Sequence, residues 1–174
     1  FKRDVVRIIT PGTIIEDTLL DAKKNNNLLS IFFKEGLISI AWIDMTTGNI
    51  KIQNIGGQNF LKDLKESILK IEPMEIIISD EIKNFRILKD SFKIFEKQIS
   101  IIPDSFYEIQ NTTITIKYLL KNENSSVKSL TNLEASAVDA LLNYLELTQK
   151  NNIPKIRSIQ KISKDQFMQI DMFT

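Results

Sequence analysis

The sequence predicts an α/β fold in which helices flank a mixed β-sheet. Three apolar runs with short connections lie between residues 28 and 54, and strand-like runs then alternate with helix-like stretches as far as residue 102. Short connections that contain glycine join antiparallel neighbours, whereas strands separated by helices are typical of a parallel sheet. A long amphipathic pattern between residues 133 and 150 also predicts a substantial helix against that sheet.

Two elements are predicted before the three apolar runs. Residues 5–9 are rich in β-branched side chains and precede Pro11 and Gly12, a pattern typical of a strand entering a turn. Residues 16–24 favour a short helix, and a turn of three asparagines follows it at residues 25–27. The chain is therefore expected to reach the sheet through an extended segment and a short helix.

The three apolar runs, residues 28–33, 37–44 and 49–54, predict an antiparallel meander. In the middle run, apolar side chains occupy both sets of alternating positions, so both faces of this strand are apolar. Such a strand is expected at the centre of a sheet, covered on both sides. Trp42 lies in this strand and is expected in the core rather than on a binding surface.

A helix and a buried strand are predicted next. Between residues 60 and 71 apolar side chains recur at helical spacing, and Pro73 ends the helix because it cannot continue the hydrogen-bond ladder. Residues 75–79 form a short apolar run typical of a buried strand, and a second helix-like stretch leads to a strand at residues 99–102. Three antiparallel strands followed by alternating helices and strands is the order of a ribonuclease H-like layer.

The last part of the chain contains an ambiguous segment and a well-defined helix. Residues 112–120 are ambiguous, because their Thr and Ile content favours a strand only weakly. Thr131 and Glu134 have the spacing of a capping box, and apolar side chains then follow one helix face to about residue 150. Pro154 prevents continuation, and the half-apolar tail between residues 156 and 170 has no obvious partner within the chain.

Composition limits the chemistry of the chain. It has 174 residues, enough for one domain or one domain with part of another, with 23 basic and 22 acidic side chains. This balance gives no electrostatic argument for direct nucleic-acid binding. The absence of cysteine and histidine excludes disulfides, thiolate or imidazole metal ligands and the usual general base. Without these side chains, the sequence predicts a domain poorly equipped for catalysis. No apolar run approaches the length of a membrane span.

Two segments near opposite ends of the chain resemble one family, the MutS proteins of DNA mismatch repair. They are VVRIITPGT at residues 5–13 and LEASAVDALLNYLELTQKNNIPKIRSIQKISKDQFMQIDMFT at residues 133–174. The resemblance implies a linker strand from a mismatch-recognition domain at residues 1–15, a connector domain at residues 16–150, and the start of an all-α core domain at residues 151–174. Because the chain lacks an initiator Met, we expect an internal part of a larger protein.

The function of the chain is implied by the same resemblance. In this family the connector couples mismatch recognition to an ATPase and offers a docking face for the MutL protein, while the mismatch-binding and nucleotide-binding sites lie in other domains. We therefore expect no catalytic, cofactor-binding or metal-binding residue in this chain. ATP, Mg²⁺, mismatched duplex DNA and a homodimeric partner are implied for the full-length protein, which we expect in the bacterial cytoplasm without a membrane partner.

A candidate partner-binding segment follows the strand predicted at residues 99–102. Phe106-Tyr107-Glu108 and residues 112–120 resemble the family's aromatic and acidic segment that leads into a connector helix, near which MutL docks. The alternative is that this segment only packs the last connector helix. The partner-binding residues that the resemblance implies are Tyr107, Glu108, Thr113, Ile114, Thr115 and Lys117.

The alternative function is that of a stand-alone ribonuclease H-like nuclease, which needs several carboxylates around two metal ions. The first strand of the meander carries no acidic residue, and Asp44 has the position of an ordinary turn aspartate. Asp80 and Glu81 follow a predicted strand end and are the remaining acidic candidates. The sequence therefore favours solvated or turn carboxylates over a metal site.

Overall fold

The computed structural model describes residues 8, 10–11, 26–110 and 129–163. Within these residues the predicted α/β fold is confirmed. The predicted helix at residues 16–24, the ambiguous segment 112–120 and the tail beyond residue 163 lie outside the described residues, as does the predicted strand 5–9 apart from Ile8.

The described strands form one six-stranded mixed sheet. They are β1 (Asn27–Lys34), β2 (Leu37–Asp44), β3 (Asn49–Ile55), β4 (Glu75–Ser79), β5 (Ile99–Ile102) and β6 (Ser158–Lys161). Their order across the sheet is β5-β4-β1-β2-β3-β6. β1, β2 and β3 pair in antiparallel fashion, which confirms the predicted meander, whereas β4, β5 and β6 each pair with a parallel neighbour.

Helices flank this sheet in the part of the chain that the structure describes. They are α1 (Phe60–Ile71), α2 (Asp80–Asn84), α3 (Arg86–Phe92) and α4 (Asn132–Gln149), with 3₁₀ segments at Lys93–Gln98, Asp104–Tyr107 and Lys150–Asn152. After α1, Glu72 adopts a left-handed conformation with φ 48°, and its N–H donates to Ile68 O. Pro73 follows directly, so the predicted end of this helix is confirmed.

Two apolar cores lie on opposite faces of the sheet. Ala41 and Ile43 of β2 belong to the core that contains α4, whereas Ile40 and Trp42 belong to the core that contains α1 and α3. Successive side chains of a strand point to opposite faces, so β2 is covered on both sides, as predicted. Trp42 is 5% exposed, which confirms its predicted place in the core.

The chain after α4 differs from the prediction. The sequence predicts no partner within the chain for the apolar side chains between residues 156 and 170, and for the described part this is wrong. β6 pairs in parallel with β3, where Ile159 lies opposite Ile50 and is 1% exposed. The reason is topological: α4 crosses one face of the sheet and the chain then returns to the edge of β3, a long-range pairing that no local pattern encodes.

A tight turn joins β2 to β3 and contacts the chain that leads into β6. Asp44 accepts hydrogen bonds from Thr46 N at 2.9 Å and from Thr47 Oγ1 at 3.0 Å, so the prediction of a turn aspartate is confirmed. Gly48 has φ 73°, and its carbonyl accepts a hydrogen bond from Arg157 N at 2.9 Å. The turn therefore holds the segment before β6 against the sheet.

Candidate functional site

The candidate site is organised around α4, whose two ends bind different parts of the chain. At about 1.5 Å per residue, the 18 residues of this helix span roughly 27 Å. Val138 and Leu141 are fully buried among side chains of β1, β2 and β3. Protein interiors are closely packed and hardly compressible, so a helix enclosed in this way resists deformation. Contacts at its two ends are consequently held at a fixed separation.

The carboxyl end of α4 binds residues that precede the sheet in the chain. We use "entering segment" for the described residues Ile8, Thr10 and Pro11. The Ile8 N–H donates to Thr148 O at 2.7 Å, and Gln149 Nε2 donates to Ile8 O at 3.3 Å. The last carbonyls of a helix have no partner within it, and Thr148 provides one of them. Both backbone groups of Ile8 are therefore bound by the last turn of α4.

A buried carboxylate lies beside this contact. Glu75 is the first residue of β4 and is 1% exposed. Its Oε1 accepts hydrogen bonds from Ser100 Oγ at 2.5 Å and Tyr144 OH at 2.6 Å, and its Oε2 accepts one from Thr10 Oγ1 at 2.6 Å. Burial and the contact with Glu75 raise the pKa of Tyr144 to about 12, so its hydroxyl stays protonated at neutral pH. This Glu75 cluster (Glu75, Ser100, Tyr144 and Thr10) joins β4, β5, α4 and the entering segment.

The amino end of α4 binds β3 and β6. Glu134 N donates to Thr131 Oγ1 at 3.3 Å and Thr131 N donates to Glu134 Oε2 at 2.8 Å, so the predicted capping box is confirmed. The Glu134 carboxylate, 3% exposed, also accepts a hydrogen bond from Asn54 Nδ2 at 2.8 Å and pairs with Lys161 Nζ at 2.7 Å. Burial acts to raise the pKa of Glu134, but the hydrogen bonds from Lys161, Thr131 and Asn54 outweigh it and lower the pKa. One carboxylate thus joins α4 to both strands.

The predicted partner-binding segment is anchored by its aromatic residue. Tyr107 is 5% exposed, its OH donates to Ile77 O at 3.2 Å, and its ring stacks on Phe32 with centroids 5.3 Å apart. Burial raises the pKa of Tyr107 well above its ordinary value. Glu108, by contrast, is exposed. The Tyr107 side chain therefore anchors this segment to the core, whereas the Glu108 side chain is accessible to solvent.

The structure covers only part of the predicted partner-binding set. It places Tyr107 in the core and Glu108 on the surface. The other members lie outside the described residues, so the partner-binding site stays a prediction. These members are Thr113, Ile114, Thr115 and Lys117.

The residues that bind the entering segment were not predicted from the sequence. Thr10, Glu75 and Tyr144 come together from three distant parts of the chain. One local signal is present in the sequence, because Glu75 comes directly before three consecutive isoleucines and acidic side chains are seldom fully buried unless they are bonded. That signal indicates a bonded carboxylate without identifying its partners.

The described residues lack the arrangement that a metal-dependent nuclease needs. Among them, no group of three or more histidine, cysteine, aspartate or glutamate side chains comes together in a way that could hold a metal ion. Asp80 and Glu81 are exposed, and Asp80 Oδ2 accepts a hydrogen bond from Asn84 Nδ2 at 3.2 Å. The nuclease alternative therefore has no support. No helix in the described part of the chain has the length and apolar character needed to span a membrane.

Comparison with known proteins identifies the family to which this arrangement belongs. The model of the family described as MutS domain II matches residues 26–157, well over half of the chain. The chain belongs to the MutS family. This match confirms the predicted resemblance to the family, and together with the mixed sheet it agrees with the predicted ribonuclease H-like connector fold. The predicted domain ranges 1–15, 16–150 and 151–174 stay predictions.

Relatives named DNA mismatch repair protein MutS match nearly the whole chain. The protein from Acetivibrio thermocellus is 36% identical over 178 residues, covering 99% of this chain and 20% of that protein. Those from Wolbachia pipientis wMel and Ehrlichia chaffeensis are 34% and 32% identical, each covering 98% of this chain and 20% and 21% of their own lengths. The chain thus spans about a fifth of the length of the curated MutS relatives it matches.

Proposed function

We propose that this domain is the mechanical connector of a MutS-type mismatch repair protein, which couples mismatch recognition to the ATPase. One observation carries the proposal: the entering segment and β6 are bound to opposite ends of α4. Ile8 is bound at Thr148 and Gln149, and Lys161 is bound at Glu134. A displacement of the entering segment would therefore move the rigid helix, and with it β6, rather than be absorbed within the domain.

The remaining parts of the repair activity belong to the full-length protein. The chain spans about a fifth of the length of its relatives, which are named as DNA mismatch repair proteins. We propose that ATP and Mg²⁺, mismatched duplex DNA and a second copy of the chain bind outside this domain, in a protein of the bacterial cytoplasm. On this proposal, the connector contributes coupling between sites, which is a free energy shared by two binding events.

A glycine in the last turns of α4 tests the coupling. Glu146 is exposed, so Glu146→Gly removes no core side chain but weakens the helix by about 1 kcal/mol relative to alanine. In the full-length MutS-type protein that contains this chain, we expect the factor by which nucleotide changes mismatch affinity to fall roughly threefold. The factor is obtained from mismatch-binding titrations with and without nucleotide.

Glu146→Ala is the matched control, since it removes the same carboxylate and preserves helix propensity. In the alanine variant, nucleotide should change mismatch affinity by the same factor as in the unmodified protein. Without nucleotide, the unmodified protein and the glycine and alanine variants should bind the mismatch with equal affinity. Identical coupling factors in the glycine and alanine variants would contradict transmission through α4.

We further propose that the surface around Glu108 is the docking face for a MutL-type protein. Ile101 and Ile109 are 46% and 43% exposed, and Asp104 and Glu108 are exposed acidic residues of the same stretch. The stretch is fixed to the domain, because Asn143 Nδ2 donates to Phe106 O at 2.9 Å and the Asp139 carboxylate accepts from Gln110 N. A preorganised surface loses little entropy on binding, which supports a docking role. Its exposed charges predict a basic partner surface.

Charge reversal at Glu108 tests the docking face. We expect Glu108→Lys to weaken binding to the amino-terminal ATPase domain of a MutL-type protein by about tenfold at low salt, and by less at high salt, because exposed charges are screened. Titration calorimetry at two salt concentrations measures both effects. Glu96→Lys makes the same charge change at an exposed residue of the 3₁₀ segment Lys93–Gln98 and should leave affinity unchanged. Equal affinities for the two variants would exclude this face.

A further inference from the structure

The Glu75 cluster has two sides with different roles. On one side, Ser100 and Tyr144 donate to Oε1, and both belong to the folded body, on β5 and α4. On the other side, Oε2 accepts from Thr10, which lies 65 residues earlier in the sequence, on the entering segment. One oxygen therefore belongs to the body of the domain, and the other faces the segment that arrives from outside it.

A carboxylate is an unusual choice at this position if its role is only to fill space. Glu75 is 1% exposed at the start of a strand whose other residues are also buried. Burying a charged group costs free energy unless it is well bonded, and apolar side chains of similar size often stabilise a core at least as well. What a carboxylate adds is directional recognition of hydroxyl donors, because charge-assisted hydrogen bonds are short and specific.

We propose that Glu75 is a docking site for the entering segment, which it recognises through the hydroxyl of Thr10, and that this attachment opens while the rest of the domain stays folded. The inference deepens the proposed coupling function and rests on it. The ligand of the site is the entering segment of this same chain, which presents the hydroxyl of Thr10. The docked state connects the entering segment to α4, and the open state disconnects it.

Opening is compatible with the remaining contacts. Thr10 is only half-buried, so water can replace its hydroxyl at Oε2 when the segment leaves. Ser100 and Tyr144 continue to hold Oε1, and Tyr144 remains a donor because burial and Glu75 keep its pKa near 12. The Ile8 contacts with Thr148 and Gln149 are two hydrogen bonds confined to the last turn of α4, so releasing the segment leaves the rest of this helix in place.

The test measures whether the Thr10 hydroxyl controls attachment at Ile8. In the 174-residue chain, Thr10→Val keeps the shape of the side chain and removes the donor. A hydrogen bond to a charged group corresponds to about tenfold or more in an equilibrium constant, so hydrogen exchange of the Ile8 amide, followed by NMR, should accelerate about tenfold. Thr10→Ser restores the donor and should bring the rate back towards that of the unmodified chain.

A second threonine provides the control. Thr47 also donates to a carboxylate, that of Asp44, at 3.0 Å in the β2–β3 turn. Thr47→Val should leave Ile8 exchange unchanged, and in the unmodified chain the Ile8 amide should exchange much faster than the amides of β1 and β2, because it is released by local opening. The docking site is overturned if Thr10→Val leaves Ile8 exchange unchanged, or if the Ile8 amide of the unmodified chain exchanges as slowly as the amides of β1 and β2, which would mean that it is released only by global unfolding. Neither result would disprove coupling through α4, which the Glu146 variants test separately.

Discussion

Gly48→Ala is expected to destabilise the folded chain by about 3 kcal/mol, a large effect for the addition of one methyl group. Two causes act together. Gly48 has φ 73°, a left-handed conformation that costs a residue with a Cβ roughly 1–2 kcal/mol. A Cβ at this position would also overlap the backbone oxygen of Lys155, and backbone atoms cannot turn aside as a flexible side chain can. The turn or the segment before β6 must therefore shift.

Gly36→Ala separates the two causes. Gly36 has a similar conformation, with φ 80°, but a Cβ there meets nothing within 4 Å. Gly36→Ala should therefore lower the free energy of unfolding by the conformational strain alone, roughly 1 kcal/mol. Urea denaturation followed by the fluorescence of Trp42, which is buried and the only tryptophan, measures both variants. Equal losses of stability in the two variants would show that the contact between the turn and Lys155 is unimportant.

Local contacts explain which parts of this fold are predictable from the sequence. The meander follows from apolar alternation and glycine-containing turns, and the Asp44 turn from an aspartate that bonds its own loop. The start of α4 follows from a threonine and a glutamate three residues apart. In each case the partners lie within a few residues of one another, so the physical cause is visible in the sequence.

Long-range contacts explain what was missed. The pairing of β6 with β3 and the bond between Thr10 and Glu75 join residues that are far apart in the chain. Nothing near Ile159 indicates that a strand edge will be available for it. Tyr107 illustrates a related problem, because an aromatic residue beside an acidic one suits either a binding surface or a core anchor. Only the position of Ile77 and Phe32 shows that its ring is in the core.

Glu134 makes both local and long-range contacts. Its replacement by alanine is the second substitution for which we expect a large loss of stability. Glu134→Ala should lower the free energy of unfolding by about 2 kcal/mol at pH 7. Hydrogen bonds to a charged group contribute roughly 1.5–3 kcal/mol, and three donor groups lose this acceptor. Those groups are Thr131 N, Asn54 Nδ2 and Lys161 Nζ. The lower part of the range applies, because the Lys161 side chain is 41% exposed and can return to water.

The effect should depend on pH in a defined direction. The pKa of Glu134 is lowered from its ordinary value of 4.5 in the folded state, so below that pH the unfolded chain binds more protons than the folded chain. The stabilisation by Glu134 is therefore fully present above about pH 4.5 and is lost as the pH falls through the native pKa. Urea denaturation at a series of pH values should show the difference between the original chain and Glu134→Ala shrinking below pH 4.5.

Glu134→Gln separates the charge from the capping box. Glutamine can still accept the hydrogen bond from Thr131 N, so the helix cap is retained while the ion pair with Lys161 is lost. We expect the free energy of unfolding of this variant to be about 1 kcal/mol lower at pH 7. Because glutamine does not titrate, residue 134 should cause no additional loss of stability as the pH falls. If the glutamine variant were as stable as the original chain at pH 7, the carboxylate would serve the cap alone. β6 would then be held at α4 by packing of Ile159 rather than by charge.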